Sequence, residues 1–433
     1  MMINRPTPST IRQRHLTGVT PTARAKCLLL CFLLTLLPLA AQDTPTGVLT
    51  GADVLNRDDF KALAGKRIGL ITNPTGYLRN GDSTVAAMKR SKNVQLVALF
   101  GPEHGVYGDQ AAGKSINSLK DPRTGLPAYS LYGDTRKPTR EMLKGIDALV
   151  YDIQDIGCRS YTYISTMGLA MEAAGEAHIE FIVLDRPDPL NGNRVEGPMC
   201  EPAFTSFVSQ WPIPHVYGLT PGELAQMIIG EKWIKTPPKL TVIKMENWKR
   251  DMQWEDTGLA WVPTSPHIPT PESAYDYAVT GWMGELGDIN NGVGYTQPFA
   301  LVGVPHLSAE EFAFALNHQH LPGVWFRPAY YTPFYTSLRD QMLGGVQIYY
   351  TDLKNVNLTA TGVYIFAELI KETKRDFFKE ATKDSVQMFD RVTGSDQLRK
   401  DLSEGKSAES IIRSWDPGIE EFRKKREPYL LYK

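Results

Sequence analysis

Side chains that can carry protons or hold a polar ligand follow four short apolar segments of this 433-residue chain. Carboxylates and imidazoles can act as acids and bases, amides and phenols can orient a bound molecule, and a guanidinium group can pair with an anion. One set of such residues lies at the end of each segment. They comprise Asn73, Glu103, His104, Asp152, Gln154, Asp155, Arg159, Tyr161, Tyr163 and Arg186.

Glu103 is the strongest single candidate for a catalytic group. Pro102 stiffens its turn, and Gly101 and Gly105 allow close approach of the backbone, so the carboxylate is held in a fixed place. A carboxyl group in a partly apolar cleft can act as a general acid. The alternatives are a turn or helix-capping role for Glu103, and a structural role for His104 instead of one in orienting the site.

The segment after the third apolar run offers a second set of groups. Asp152 and Gln154 share one face of a strand end because side chains alternate with a period of two, and Asp155 lies where the strand breaks. These carboxylates can position water or simply bond backbone amides. Tyr161 and Tyr163 can take part in the chemistry or serve as core aromatics.

Several common catalytic signatures do not occur in the sequence. It has no G-x-S-x-G, H-E-x-x-H or G-x-x-x-x-G-K-[ST] motif. Gly292 and Gly294 are followed by Gln297 where a dinucleotide fingerprint needs its third glycine, and His318 and His320 are the only closely spaced histidines after the leader. The sequence therefore predicts neither a metal nor a cofactor.

The apolar segments predict the strands that must position these residues. Each is a continuous run bounded by turn residues, which is typical of a parallel sheet buried on both faces. Strands are predicted at 67–72, 94–100, 147–153 and 179–185, with helices at 83–90, 140–144 and 165–177. This alternation predicts an α/β fold with an open, mainly parallel sheet over residues 48–271. Ligands bind such sheets beyond the carboxyl ends of the strands, where the four loops converge.

A proline-rich stretch separates this region from a second one. Residues 261–272, WVPTSPHIPTPE, hold four prolines and predict an extended connector. Beyond it, a smaller α+β domain is predicted over residues 272–433. The other elements predicted on either side of the connector are helices at 221–231, 309–317 and 361–373 and strands at 240–245 and 346–352.

The net charge of −1 hides a segregation of charge. Residues 1–41 hold five basic residues and no acidic one, so the rest of the chain carries 42 basic and 48 acidic residues, a net charge of −6. A basic surface for nucleic acid is therefore not expected.

The basic segment has the three parts of a secretory signal peptide. An apolar run at 27–39 follows Arg24 and Lys26 and precedes Ala41, so we predict cleavage near Ala41 and export to the periplasm or the medium. An uncleaved anchor is the alternative, and no other segment is apolar enough to span a membrane. After export, Cys158 and Cys200 can form a disulfide or remain two buried thiols.

Taken together, the loop motifs resemble the NamZ family of exo-β-N-acetylmuramidases. The resemblance covers the chain from about residue 47 to its end. It implies a Rossmann-like N-terminal domain, a smaller C-terminal domain and an active cleft between them. It also implies release of N-acetylmuramic acid from the non-reducing end of peptidoglycan fragments, by hydrolysis of a β-1,4 bond. The motifs are LITNPTG, LFGPEHG, YDIQDIGCRSYTYI, VLDRPDPLNG, PIP with GLTPGELA, TGLAWVPTSPHIPTPE and GVGYTQPF.

The resemblance also implies roles for individual residues. Glu103 corresponds to the suspected catalytic acid, and Tyr161 or Tyr163 corresponds to its second participant. Two stretches depart from the usual family pattern, His267 in the connector and PHVYGLT at 214–220, and we expect both to line the cleft.

Two parts of the mechanism stay open at this point. The group opposite the acid can be Asp152, Asp155, a tyrosine or the acetamido group of the substrate. The lactyl carboxylate of muramic acid needs a cation, for which Arg159, Arg186 and Lys114 are candidates, with Arg159 nearest in sequence.

Two other classes of function compete with hydrolysis. A cell-wall-fragment binding protein would hold the same peptidoglycan-derived saccharides without cutting them. A nucleotide-sugar or dinucleotide enzyme is disfavoured by the missing glycine, and a fold by itself specifies no function. The oligomeric state is left open.

Overall fold

The continuous apolar runs form the central strands of a seven-stranded sheet. The computed structural model describes residues 47–109 and 119–433; the predicted leader and Lys114 lie outside the described residues. The strands of the N-terminal region are β1 (Arg67–Thr72), β2 (Gln95–Gly101), β3 (Leu119–Lys120), β4 (Pro127–Ser130), β5 (Ala148–Asp152), β6 (Glu180–Leu184), β7 (Glu196–Met199), β8 (Pro214–Val216) and β9 (Leu240–Ile243).

The strand order places the ends of four predicted strands side by side. The sheet runs β3-β4-β2-β1-β5-β6-β9, and only the edge strand β3 is antiparallel to its neighbour. Thr72 pairs with Asp152 at the ends of β1 and β5, so the loops that follow them begin at the same level. The predicted fold class is confirmed, and the loops after β1, β2, β5 and β6 meet at one edge.

Helices cover both faces of this sheet. Leu55 and Met88 pack with Val150 on one face, whereas Met167 and Leu224 lie in the cluster on the other. The helices are α1 (Gly51–Arg57), α2 (Thr84–Arg90), α3 (Tyr163–Glu176) and α4 (Pro221–Gly230).

The helix predicted at 140–144 is wrong. Those residues form turns, with one bond of α-helical spacing, from Leu143 N–H to Thr139 O (3.1 Å), and Gly145 ends the segment at φ +80°. Five residues give too little propagation to offset the cost of nucleating a helix.

The C-terminal region is a smaller α+β domain with an antiparallel sheet. Its strands, in the order β10-β12-β11, are β10 (Leu301–Pro305), β11 (Val324–Tyr331) and β12 (Leu343–Tyr350). Its helices are α5 (Glu272–Thr280), α6 (Ala309–Asn317), α7 (Leu358–Thr373), α8 (Phe377–Glu380), α9 (Lys383–Thr393), α10 (Gln397–Ser403), α11 (Ala408–Arg413) and α12 (Asp416–Arg426). Within the described ranges, no helix has the length and apolar character that crossing a membrane requires.

The two cysteines of the described chain are separate thiols. Cys158 and Cys200 are both free and buried, and burial raises the pKa of each thiol. Of the two possibilities left open by the sequence, the structure contains the pair of buried thiols.

Arg159 ties the two regions together and does not face a ligand. Its side chain is fully buried, and its guanidinium nitrogens donate to one hydroxyl and four backbone carbonyls. Two of those carbonyls end α9, where the helix dipole favours a cation. Burial lowers the pKa of Arg159 to about 10, so it stays charged at neutral pH. The acceptors, at 2.7 to 3.2 Å, are Ser209 Oγ and the oxygens of Pro198, Ile213, Val392 and Thr393.

The assignment of Arg159 as a receptor for a substrate carboxylate is therefore corrected. All three of its nitrogens are engaged by the protein, and no part of the side chain reaches the surface. The backbone at Gly394 packs directly against the Arg159 guanidinium, since a Cβ added there would lie 2.6 Å from Arg159 Nη2.

We predict that Arg159→Met lowers the free energy of unfolding by at least about 3 kcal/mol, because several buried carbonyls lose a charged donor. Arg159→Lys keeps the charge but supplies fewer donors, so it should lie between Met and wild type. Urea unfolding followed by tryptophan fluorescence measures both. A Met variant with the wild-type midpoint would contradict this role.

Candidate active site

The turn that carries Glu103 is fixed by its glycines. A Cβ added at Gly101 would lie 2.7 Å from Val106 N, so only glycine lets the chain fold back there. Gly105 N–H donates to Pro102 O (2.9 Å), and Gly105 lies at φ +79°. His104 also has a left-handed backbone, at φ +69°, which is uncommon for a residue other than glycine. Backbone strain of this kind clusters at functional sites.

Two hydroxyl groups contact the half-buried carboxylate of Glu103. Thr162 Oγ1 donates to Glu103 Oε2 (2.9 Å) instead of capping α3, whose N-cap it is. The Tyr132 hydroxyl interacts with the same carboxylate, and burial together with this negative charge raises the pKa of Tyr132 to about 12. Glu103 thus has a fixed orientation at the edge of the sheet.

Tyr161 and Tyr163 lie directly on either side of this threonine and are anchored by the connector. The Tyr163 hydroxyl donates to Thr264 O (2.5 Å), and the Tyr161 hydroxyl lies 2.7 Å from Thr264 Oγ1. Burial raises the pKa of both phenols, so both stay protonated at neutral pH. The Tyr163 hydroxyl also lies near Asn73, whose side-chain nitrogen is buried without a hydrogen-bond partner among the described residues, and in the field of Glu103.

The connector continues from the tyrosines to the loop of Glu103. His267 Nε2 lies 2.8 Å from the Tyr335 hydroxyl of the C-terminal domain. Burial and the nearby His104 lower the pKa of His267. His267 therefore joins the connector to the C-terminal domain, and the expectation that it lines the cleft stays a prediction.

The other departure from the family pattern does not line the cleft. His215 and Tyr217 are buried in the core, and His215 O accepts a hydrogen bond from Arg159 N–H (2.8 Å). The expectation that residues 214–220 face a ligand is therefore corrected for these two side chains.

Asp152 forms a buried ion pair with Arg186. Its Oδ1 lies 2.7 Å from the Arg186 guanidinium, and neither side chain is more than slightly exposed. Gln154 donates its amide to two backbone carbonyls, those of Asp155 (2.8 Å) and Pro187 (2.7 Å). Asp152 Oδ2 and Gln154 Oε1 are buried and have no hydrogen-bond partner among the described residues.

Asp155 points into the protein. Its carboxylate accepts hydrogen bonds from Gly157 N–H (2.8 Å) and the Tyr217 hydroxyl. Burial raises the pKa of Asp155 to about 6 and that of its neighbour Asp188 to about 8. Both of these bonds end on Oδ2, while Oδ1 is buried without a partner among the described residues, so Asp155 is closed off from solvent.

Two cavities border the loop after β1. The first, of about 290 Å³, contains Arg186, Arg79 and Gln154, with Tyr77 and Trp254 as aromatic neighbours. The second, of about 360 Å³, lies on the other part of the same loop. Its lining includes Asn73, Pro74, Lys89, Tyr107 and Arg123. Glu103 is not among the described residues that line either cavity.

The predicted site residues thus fall into three groups. Glu103, His104, Tyr161, Tyr163 and Asn73 come together around the connector; Arg186, Asp152 and Gln154 lie along the first cavity; Asp155 and Arg159 belong to the core.

Sequence reasoning missed four contributors. Thr162 could have been identified from the sequence, because it lies between the two candidate tyrosines. Thr264 lies in the connector motif, which did not mark it as the partner of both tyrosines. Tyr132 and Tyr335 carried no signal, since each is brought in by a loop whose position depends on distant contacts.

The arrangement suits acid catalysis on a polar, anionic ligand. A half-buried carboxyl group lies among hydroxyls and amides, two arginines line the neighbouring cavity, and the C-terminal domain closes one side. In the described ranges, no three His, Cys, Asp or Glu side chains are grouped as metal ligands would be.

Comparisons with known proteins cover almost all of the described chain. Residues 68–272 match the family model for exo-beta-N-acetylmuramidase NamZ, N-terminal, and residues 275–432 match that for NamZ, C-terminal. The peptidoglycan beta-N-acetylmuramidase NamZ of Bacillus subtilis (strain 168) is 45% identical over 386 residues, which are 89% of this chain and 91% of the relative.

Two crystal structures of DUF1343 family proteins from Bacteroides fragilis NCTC 9343 share the fold. One is 49% identical with a TM-score of 0.85, and covers 90% of this chain and 100% of its own. The other is 28% identical with a TM-score of 0.72, over 89% and 99% of the two chains. On these matches and on the motifs that form the site, the chain belongs to the NamZ family of exo-β-N-acetylmuramidases.

Proposed function

We propose that this chain is an exo-acting glycoside hydrolase that releases N-acetylmuramic acid from the non-reducing end of peptidoglycan fragments, in cell-wall turnover. The observation that carries the proposal is the Glu103 carboxyl group, held on a strained turn by Thr162 and Tyr132 where the two domains meet. The 45% identity to a peptidoglycan β-N-acetylmuramidase supports the same reaction.

Glu103 is the general acid of the proposed reaction. It donates its proton to the glycosidic oxygen as the bond from that oxygen to the anomeric carbon breaks, so the leaving sugar departs as a neutral alcohol. A water molecule then supplies the new hydroxyl at the anomeric carbon and returns a proton to Glu103.

Burial reduces the number of candidates for the catalytic group opposite Glu103. Asp152 and Asp155 are both buried, the first beside Arg186 and the second beside Tyr217, so we exclude both carboxylates from this role. Tyr161 and Tyr163 stay protonated and suit hydrogen-bond donors. We therefore assign the second role to the acetamido group of the substrate, with the tyrosines positioning it.

Arg186 is the proposed receptor for the lactyl carboxylate. It lines the first cavity, and Arg79 adds a second positive charge there. Asp152 orients the Arg186 guanidinium by accepting from its Nε. The unpartnered Gln154 Oε1 in the same cavity can accept a hydrogen bond from the ligand.

We also propose that the chain works outside the cytoplasm. The support is the basic, then apolar, then small-residue pattern of residues 1–41. Fractionation of the native cells should find the protein in the periplasm or medium, with its first residue close to position 42 by mass spectrometry. Cytoplasmic protein that retains residues 1–41 would contradict export.

We predict that Glu103→Gln lowers kcat for a MurNAc–GlcNAc disaccharide by roughly 10²- to 10⁴-fold, because the leaving oxygen loses its acid. With 4-nitrophenyl β-N-acetylmuramide the loss should be smaller, since nitrophenolate leaves without protonation. Release of each product measures both rates. Asp155→Asn is the matched control and should retain most of the wild-type rate.

Equal losses on both substrates would remove Glu103 from the acid role. Tight binding of muropeptides by the wild type, with no product after long incubation, would instead support the binding-protein alternative.

We predict that Arg186→Lys reduces kcat/KM for the N-acetylmuramide by about 10- to 100-fold, because the lactyl carboxylate loses a charge-assisted hydrogen bond. On the corresponding N-acetylglucosaminide, which lacks the lactyl group, the kcat/KM of this variant should stay close to that of the wild type. Arg57→Lys, in an exposed ion pair with Glu246, is the control. Equal losses on both substrates would contradict the carboxylate role.

A further inference from the structure

The loop between β11 and β12 presents aromatic rings to the solvent beside the cleft. Phe334 is 66% exposed and Tyr335 is 49% exposed. Tyr295 lies under this loop, with its ring 5.4 Å from that of Phe334. Phe334 and Tyr335 are adjacent and Tyr295 packs against Phe334, so these rings form one patch, and a contiguous exposed apolar patch is a mark of a binding surface.

The Tyr335 side chain contacts the connector through His267. Its hydroxyl lies 2.8 Å from His267 Nε2, and the two rings are stacked at 6.2 Å with 28° between their planes. His267 in turn lies close enough to His104 for the two to interact electrostatically, and His104 follows Glu103. The Tyr335 ring is therefore connected to the catalytic turn through two histidines.

The backbone holds this ring in a strained position. Thr336 lies at φ +95°, in a region that a β-branched residue rarely adopts. Gly294, at φ +90°, makes room for the loop, since a Cβ there would lie 2.3 Å from Tyr335 O. Phe334 N–H also donates to Gly294 O (2.7 Å). A conformation of this cost persists when the surroundings impose it, and its usual location is a ligand site.

Contacts arrange the site in an order. They run along the connector: Val262 lines the cavity with Arg186, Thr264 contacts Tyr161 and Tyr163, and His267 contacts Tyr335. An exo-acting enzyme holds one sugar ring on the non-reducing side of the bond. The rest of the substrate must leave on the other side of the bond, and we assign that side to the end of the connector that contacts Tyr335.

We propose that Tyr335, with Phe334 beside it, binds the sugar ring on the leaving-group side of the scissile bond, an N-acetylhexosamine in a peptidoglycan strand. A pyranose ring offers a face of C–H groups, which packs against an aromatic ring. His267 fixes the Tyr335 ring through its hydroxyl. This inference rests on the proposed function and assigns its leaving-group subsite.

The test compares two substrates that differ in this ring. MurNAc–GlcNAc carries a sugar on the leaving side, whereas methyl β-N-acetylmuramide carries a methyl group. For Tyr335→Ala, the ratio of kcat/KM for the disaccharide to that for the methyl glycoside should fall by about 10- to 100-fold, mainly through KM. Tyr335→Phe keeps the ring and should keep most of this ratio.

Trp325→Ala supplies the matched control. Trp325 is 45% exposed in the same domain. It lies on β11 six residues, or about 20 Å, before Tyr331, the end of the strand from which the loop with Tyr335 begins. This variant should leave the ratio at the wild-type value. Thermal melting of all variants checks that each is folded.

The possible failures are distinguishable. A wild-type protein that hydrolyses neither substrate would overturn the proposed function itself. A wild type that hydrolyses both, together with a Tyr335→Ala variant whose ratio is unchanged, would overturn the leaving-group subsite alone.

Discussion

The buried guanidinium of Arg159 is the interaction on which the geometry of the site depends. It lies between β5 and the stretch that supplies Tyr161, Thr162 and Tyr163, and it fastens that stretch to carbonyls at the end of α9. A cation buried without a carboxylate partner is costly unless oriented dipoles replace its hydration, and here backbone carbonyls do so. The positions of the residues around Glu103 thus depend on the contact between Arg159 and Thr393, which are 234 positions apart in the sequence.

A second constraint is the proline-rich connector. An extended chain with few free N–H groups can cross the edge of a sheet without pairing to it, and its side chains then face the loops. Thr264 fixes both tyrosines, and His267 reaches the C-terminal domain. The connector is therefore part of the site, and the second domain supplies Tyr335 through it.

Local pattern was sufficient to predict five of the seven strands of the sheet, all but β3 and β4. β1, β2, β5 and β6 lie where continuous apolar runs placed them, because strands buried on both faces need such runs. β4 (Pro127–Ser130) was missed, since four residues with a proline give no comparable run. The position of Glu103 followed from the glycines that flank its turn, which is a local property.

The role of each polar residue was less predictable, because burial is decided by distant segments. Arg159 and Arg186 both follow predicted strands. Arg159 is nevertheless buried against the end of α9, whereas Arg186 lines a cavity. Asp155 and Glu103 are both carboxylates on converging loops, but the first is buried beside Tyr217 and the second is only half-buried. The domain boundary near residue 271, just before α5, remains a prediction.

The most direct measurement is a crystal structure of the Glu103→Gln variant with a MurNAc–GlcNAc disaccharide bound. We expect the substituted amide at position 103 to lie within hydrogen-bond distance, about 3 Å, of the glycosidic oxygen. Tyr335 should then lie under the second ring, and the lactyl carboxylate should lie on Arg186. A disaccharide bound with its glycosidic oxygen away from position 103, next to another carboxylate, would contradict the central claim.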